Sequence, residues 1–231
     1  MVSISIVIPT LEEAATLGAA LDAAQSELLP GDELWVVDAG SRDATRAIAE
    51  GRARVLESPG PRGRQMNAGA ALARGEGLLF LHADCRLPPG ALVAVRAVLA
   101  DARCAGGCFP VAFSATEIAQ APLLAWVARG INWRTRAFRQ GTGDQGLFLR
   151  RGPFLAAGGF REWPLMEDLD LCRRMRAHGR FQVLSIPLEI SARRWLRRGV
   201  VRTQLSLWGF RLAYALGASP EALGRRYAAV R

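Results

Sequence analysis

The chain has 231 residues, half of them apolar and 22% charged. No apolar run reaches the roughly 18 residues that a membrane span needs, so a polytopic membrane protein is excluded, and the composition equally excludes a disordered or collagen-like chain. All 30 basic residues are arginine against 21 acids, a net charge of +9. Residues 193–231 alone hold nine arginines and one acid, Glu221, and the remaining 192 residues are close to neutral. A neutral body with a basic tail points to phosphates, an anionic lipid surface or nucleic acid near the C-terminus, with a solvated basic helix as the competing reading. The four cysteines (85, 104, 108, 172) have no C-x-x-C spacing, so they are expected to be small buried residues of a reducing cytosol rather than zinc ligands or disulfides. The N-terminus enters strand-like sequence without the basic region of a secretory signal.

Val2–Ile8 is β-branched and apolar and predicts a buried strand, followed by a helix over about Glu12–Leu28. The unit recurs as Glu33–Val37 with Asp43–Glu50, Arg54–Leu56 with Gly63–Arg74, and Leu78–Leu81 with Gly90–Ala100. Strands alternating with helices of ten or more residues imply parallel pairing through right-handed crossovers, hence an α/β protein with a mostly parallel central sheet and helices on both faces. Beyond Cys104 the alternation breaks down. A strand is expected over 106–113, a helix over Ile118–Ile131, a Gly-rich turn at 141–146, strands at Leu147–Arg150 and Phe181–Ile186, and between them a helix over about Glu167–His178. No linker or repeat interrupts the chain. We expect one catalytic domain over 1–190, with a nucleotide-binding half (1–103) and an acceptor-side half (104–190), plus a basic helical tail over 191–231 packed on the domain or at a membrane surface.

In open parallel sheets ligands bind outside the carboxyl ends of the strands, and here those ends are polar: Pro9-Thr10-Leu11-Glu12-Glu13, Asp38-Ala39-Gly40-Ser41-Arg42-Asp43 and His82-Ala83-Asp84. Neither G-x-G-x-x-G after the first strand nor G-x-x-x-x-G-K-[ST] is present, which argues against dinucleotide oxidoreductases and P-loop NTPases. Each end also admits helix capping: Thr10 and Glu13 have capping-box spacing, and Ser41 or Asp43 suits the second helix. Asp84 stands at the mouth of a central strand, where one carboxylate with diphosphate oxygens and water suits a hard divalent cation. Glu167, Asp168 and Asp170 open a helix, where the dipole favours them with or without chemistry; the chemical reading makes one of them a general base.

Taken in order, V-I-P-T-x-E-E, V-D-A-G-S-R-D, L-H-A-D, and G-G-F followed by E-D-L-D-L-x-x-R resemble a family 2 glycosyltransferase of the GT-A fold, over Ser3 to about Arg174. The details R-G-R-Q-M-N-A-G (62–69), F-L-H-A-D (80–84), G-D-Q-G (143–146) and S-A-R-R-W (191–195) are similar to a short bacterial branch described as radical-SAM/selenodomain-associated transferases. The resemblance implies an inverting transfer of a sugar from a nucleotide-diphosphate sugar to an acceptor hydroxyl, with Mn2+ or Mg2+. By it, Thr10, Glu12 and Asp38 hold base and ribose, Arg64 and Asn67 lie beside the nucleotide, and His82, Ala83 and Asp84 occupy the D-x-D position, with Asp84 on the metal. Asp168 matches the base. Gln145, Gly159, Glu167, Arg194 and Trp195 fall on the acceptor or diphosphate side, Trp195 with an ordinary core aromatic as its alternative. Two positions depart from the pattern: His82 replaces the first acid of D-x-D, and Ser191 replaces the Gln of Q-x-x-R-W, which favours a single transfer over processive synthesis.

Two other classes stay open at this level. A sugar-phosphate nucleotidyltransferase is disfavoured because the loop after the first strand is acidic rather than basic. A non-catalytic sugar-nucleotide-binding or membrane-docking protein is favoured by His82. The tail stretch Leu205–Ala218 is interrupted by Arg211 and too short to span a bilayer. It reads as an interfacial helix anchored by Trp208, Phe210 and Tyr214 on an anionic membrane, or as a helix packed on the domain. Nucleic acid is not expected as a partner. The expected location is the cytoplasm, with peripheral contact at the cytoplasmic face of the inner membrane and a lipid-linked acceptor among the candidates. The sugar, the base and the oligomeric state are not readable.

Overall fold

The computed structural model describes residues 1–229; Val230 and Arg231, the last tail arginine, lie outside the described residues. In chain order the elements are β1 (Ile4–Thr10), α1 (Ala14–Gln25), β2 (Glu33–Asp38), α2 (Thr45–Ala49), β3 (Arg54–Glu57), α3 (Arg62–Leu72), β4 (Gly77–Phe80), β5 (Cys85–Arg86) and α4 (Ala91–Ala100). The second half follows with β6 (Cys104–Cys108), β7 (Val111–Ala112), α5 (Ala115–Gln120), α6 (Leu123–Phe138), β8 (Leu147–Arg150), α7 (Arg151–Ala156), α8 (Glu167–Met175), β9 (Arg180–Val183) and β10 (Leu188–Ile190). The tail forms α9 (Arg193–Arg198), α10 (Val200–Ala215) and α11 (Pro220–Ala229).

Seven strands form the main sheet in the order β3-β2-β1-β4-β8-β6-β9. The first four are mutually parallel, and β8 runs antiparallel between β4 and β6. The chain steps outward from β1 to β2 and β3, then returns to place β4 on the other side of β1, so the crevice where strand order reverses opens at the ends of β1 and β4. A small second sheet, β5-β10-β7, stands beside this crevice. It brings the segment after β10 next to the segment after β4.

β1 is buried along its whole length, and its side chains divide by the two-residue period of a strand. Ile4, Ile6 and Ile8 join Leu17 and Leu21 of α1 and Leu92, Val95 and Leu99 of α4 in one core layer. Val7 faces the other layer with Val37, Met66, Phe80, Phe154 and Phe160. In that layer Phe80 meets Phe154 and Phe160 with centroids 5.2 and 4.9 Å apart, tilted and edge-on geometries that suit the ring quadrupoles. The buried pair of Arg96 and Asp32 closes the sheet edge: Asp32 also accepts the N–H groups of Ile4 and Leu29, each at 2.8 Å, so its charge is fully bonded.

Several expected elements change. The strand expected over 106–113 is two strands in different sheets, because Pro110 lies between them. The helix expected over Ile118–Ile131 divides at Pro122 into α5 and a longer α6 that runs on to Phe138. The first, Ala115–Gln120, begins with a capping box of Ser114 and Glu117 that the reading passed over. Thr10 does not cap α1: it is the last residue of β1 and its hydroxyl donates to Asp38 at 2.9 Å. The N–H groups of Glu12, Glu13 and Ala14 are met instead by Ser41, Thr45 and Asp43 of the segment that follows β2. Asp43 also accepts the N–H of Thr45 at the start of α2.

Candidate active site

The crevice is a cavity of about 440 Å³. Its floor is Pro9 at the end of β1 and His82, Ala83 and Asp84 after β4. One wall is the 3-10 turn Gly143–Gln145 with the start of α8, which contributes Glu167 and Asp168. α9 adds Arg193, Arg194 and Trp195 to the lining. α6 and α10 add Arg134 and Arg211, near Asp144 and Asp168. Seven arginines and five carboxylates face the cavity, so it is polar and net cationic and suits an anionic ligand.

Asp168 is held from two sides. Its Oδ2 accepts the Gly143 N–H and its Oδ1 the Leu169 N–H, both at 2.7 Å. Met166, with φ of 70°, makes the left-handed turn that points α8 and its first acids at the cavity. Burial raises the Asp168 pKa, outweighing those two hydrogen bonds. Glu167, buried beside it, is pushed up to about 7, first by burial and then by the Asp168 charge. A methyl group placed on Gly143 would lie 2.7 Å from His82 Nε2 and 3.8 Å from Asp168 Oδ2, so the turn, the histidine and the carboxylate share one small volume.

Asp84 is also raised by burial and then by Glu13, with Asp144 adding to it and Arg193 opposing it. Arg193 reaches Glu13 at 3.5 Å and thereby ties the tail to the loop after β1. Trp195 packs edge-on to Phe113 at 5.2 Å in the core, while its Nε1, at the cavity wall, has no partner among the described residues. Arg194 lies over the ring of Tyr227, 5.2 Å from its centroid.

The structure thus brings His82, Ala83, Asp84, Glu167, Asp168, Arg194 and Trp195 around one cavity. Thr10, Glu12, Asp38, Arg64, Asn67, Gln145 and Gly159 do not line it. Asp38 is fully buried and accepts bonds from Thr10, Gly40 and Ser41, including the Ser41 hydroxyl at 2.6 Å. Those bonds outweigh burial and hold its carboxyl below the usual range. It shapes the loop after β2. Gln145 bonds Thr135, Thr142 and the Phe109 carbonyl, and so builds the turn that presents Gly143. Asn67 exchanges two 2.8 Å bonds with the Phe160 backbone, and Gly159, at φ of 64°, lies where a Cβ would be 2.6 Å from Asn67 Oδ1. Glu12, at φ of 57°, and Arg64 are exposed at the rim of the strand ends.

Sequence reading did not single out Glu13, Arg62, Arg134 or Asp144 as site residues. Asp144 lay within the G-D-Q-G run already noted, and Arg211 was visible as the one charge inside an apolar stretch. Arg134 carried no such signal. No three of the His, Cys, Asp and Glu side chains among the described residues converge closely enough to hold a metal ion unaided.

A mixed sheet of this order, open at a polar crevice with carboxylates on two elements, defines the GT-A class of nucleotide-diphospho-sugar transferase folds. The chain belongs to glycosyl transferase family 2, whose profile matches residues 5–154. Among curated proteins, a PGL/p-HBAD biosynthesis glycosyltransferase of Mycobacterium tuberculosis is 41% identical over 88 residues, 35% of this chain and 34% of that protein, so the match spans about a third of the relative's length. Among solved structures, the mannosyltransferase PcManGT from Pyrobaculum calidifontis, in complex with GDP-Man and Mn2+, has a TM-score of 0.66 at 19% identity over 98% of this chain and 79% of that one. S. aureus TarS, in complex with UDP-GlcNAc, has a TM-score of 0.60 at 16% identity over 79% and 56%. Glucosyl-3-phosphoglycerate synthase from Mycobacterium tuberculosis, with Mn2+ and UDP, has a TM-score of 0.56 at 20% identity over 89% and 79%.

Proposed function

We propose that the protein is an inverting glycosyltransferase that moves one sugar from a nucleotide-diphosphate sugar to an acceptor hydroxyl. The observation that carries this is the placement of two carboxylates in one cationic cavity: Asp84 after β4, and Asp168, clamped by two N–H groups, at the start of α8. The nucleoside lies across the strand ends, where Thr10 and Asp38 shape the loop and Glu12, Arg64 and Asn67 stand beside it. Asp168 takes the proton of the acceptor hydroxyl. The acceptor oxygen forms a bond to the anomeric carbon as the bond from that carbon to the diphosphate breaks, on the opposite face, and the nucleoside diphosphate leaves with the bonding pair. A base partly removed from water and aimed by its hydrogen bonds suits this step.

Asp84 fits a divalent cation, Mg2+ or Mn2+, that also takes diphosphate oxygens and water. A buried carboxylate raised by a second acid is relieved by a cation, and Asp144 and Glu13 are close enough to contribute charge. When bound, such an ion neutralises charge building on the diphosphate. Arg62, Arg193 and Arg194 face the same end of the cavity, and Trp195 Nε1 is a donor there. These residues belong to the R-G-R-Q-M-N-A-G and S-A-R-R-W runs, which support placing the chain in the radical-SAM/selenodomain-associated branch.

No helix among the described residues is long and apolar enough to cross a membrane. An anionic bilayer surface is nonetheless the partner we assign to one face. Trp126 and Trp133 of α6 are 67% and 69% exposed, and Leu205, Trp208 and Leu212 of the contacting α10 are also exposed. Arg129 and Arg136 stand among them, and Arg129 lies over Trp126 at 5.1 Å. Aromatic side chains with interleaved cations suit the headgroup region. The anchors differ from the sequence reading: Phe210 and Tyr214 pack inward against Met166, Leu169 and Leu223, and only Trp208 of that trio faces out. Trp208 also lines the cavity, so this face adjoins the acceptor end.

The test is turnover with a panel of UDP-, GDP-, dTDP- and CDP-sugars in Mn2+, with thermal shift reading donor binding. Asp168→Asn is expected to lower kcat by about 10²–10⁴-fold, the range for removing a general base, while the donor-induced shift stays. Normal turnover by that variant would remove Asp168 from the role.

A further inference from the structure

Arg134 on α6 and Arg211 on α10 line the cavity on the side of Asp168, away from the floor residue Asp84. Neither forms an ion pair among the described residues, although Asp144 and Asp168 lie near enough to favour both charges. Arg134 has one long bond, from Nη2 to Gln145 Oε1 at 3.4 Å, and its buried Nε has no partner. Arg211 makes no hydrogen bond to any described residue. Both are partly withdrawn from water: burial, and then the Arg211 charge, lower the Arg134 pKa to about 10, and burial lowers that of Arg211. Two desolvated arginines on neighbouring helices with no carboxylate in ion-pair contact are costly in the free protein. Their planar donor forks fit phosphate oxygens in pairs, and such a group would complete both.

We propose that the acceptor carries a phosphate group, bound by Arg134 and Arg211, beside the hydroxyl that Asp168 deprotonates. The proposal rests on the reading of Asp168 as the base, but the anion site itself does not. Ile131, Leu207 and Trp208 line the same end, so the rest of the acceptor meets an apolar wall there. Arg62 and Arg193 differ from this pair in acting on Asp84, whereas Arg134 and Arg211 act on Asp168; Asp144 lies between and is felt at both places.

The experiment uses the full chain and inorganic phosphate against chloride at matched ionic strength, read by thermal shift, with and without a saturating nucleoside diphosphate. Wild type is expected to gain stability with phosphate, and to keep that gain with nucleotide bound. Arg211→Gln and Arg134→Gln are each expected to raise the Tm in phosphate-free buffer, because they remove a desolvated charge with no carboxylate in ion-pair contact, and to weaken the phosphate response at least tenfold while sparing the nucleotide response. Glycerol phosphate and vesicles containing phosphatidate then compete with phosphate, and the better competitor tells a soluble acceptor from a lipid one. Loss of the phosphate response on adding nucleotide would overturn the proposal by making this the donor's diphosphate site. A response unchanged in both variants would overturn it too. A normal Asp168→Asn enzyme with phosphate binding intact would instead strike the base assignment alone.

Discussion

Replacing Glu167 by Gln tests the electrostatics of the cavity with almost no change of shape. Glu167 is 7% exposed, and its pKa is pushed from 4.5 up to about 7, first by burial and then by Asp168. Between those two values the folded protein holds a proton that the unfolded chain has released. The sign follows from linkage: stability is highest below pH 4.5, falls as pH rises toward 7, and is level above it. A displacement of about two and a half pH units corresponds to about 3 kcal/mol at roughly 1.4 kcal/mol per unit. Glu167→Gln is therefore expected to be more stable than wild type at pH 8, by about 3 kcal/mol, and to match it closely at pH 4. Urea unfolding at pH 4, 6 and 8, in buffer without metal or nucleotide, measures the difference. A variant no more stable at pH 8, or a gain independent of pH, would refute the account of a buried carboxylate strained by its neighbour.

Asp84→Asn is expected to abolish the Mn2+-dependent part of the donor-induced thermal shift and leave the metal-independent part; an unchanged Mn2+ titration would exclude the metal role. Trp126→Ser combined with Trp133→Ser is expected to release the protein from phosphatidylglycerol vesicles in flotation at low salt, without moving the Tm, because both side chains are exposed. Wild-type binding should itself weaken as salt screens the arginines. Phe154→Ala, which empties the centre of the Phe80 and Phe160 cluster, is expected to cost about 3–5 kcal/mol in denaturant unfolding.

The parallel half of the fold was legible because its signals are local. The alternation of Ile4, Ile6 and Ile8 with Val7 fixes which faces are buried, and a helix after each of the first four strands fixes parallel pairing. Polar residues at His82-Ala83-Asp84 and the acids of Glu167-Asp168 were legible for the same reason, since a crevice at strand ends must draw on the residues that follow the strands. Asp38 was legible as a polar residue at a strand end, yet its two oxygens are spent on Thr10, Gly40 and Ser41, bonds visible only once the loops fold.

The sequence by itself determined the class of sheet, the polar strand ends and the basic tail, because strand period, helix period and net charge are properties of neighbours along the chain. Tertiary structure alone decided which charges meet. Residues 77 positions apart, Arg134 and Arg211, line one cavity; Arg193 reaches back to Glu13; and α10 packs against α6. Such meetings depend on how helices stack on the sheet, and no local pattern encodes that. The tail's positive charge thus divides: Arg193, Arg194 and Arg211 line the cavity, and Arg202 is left to solvent.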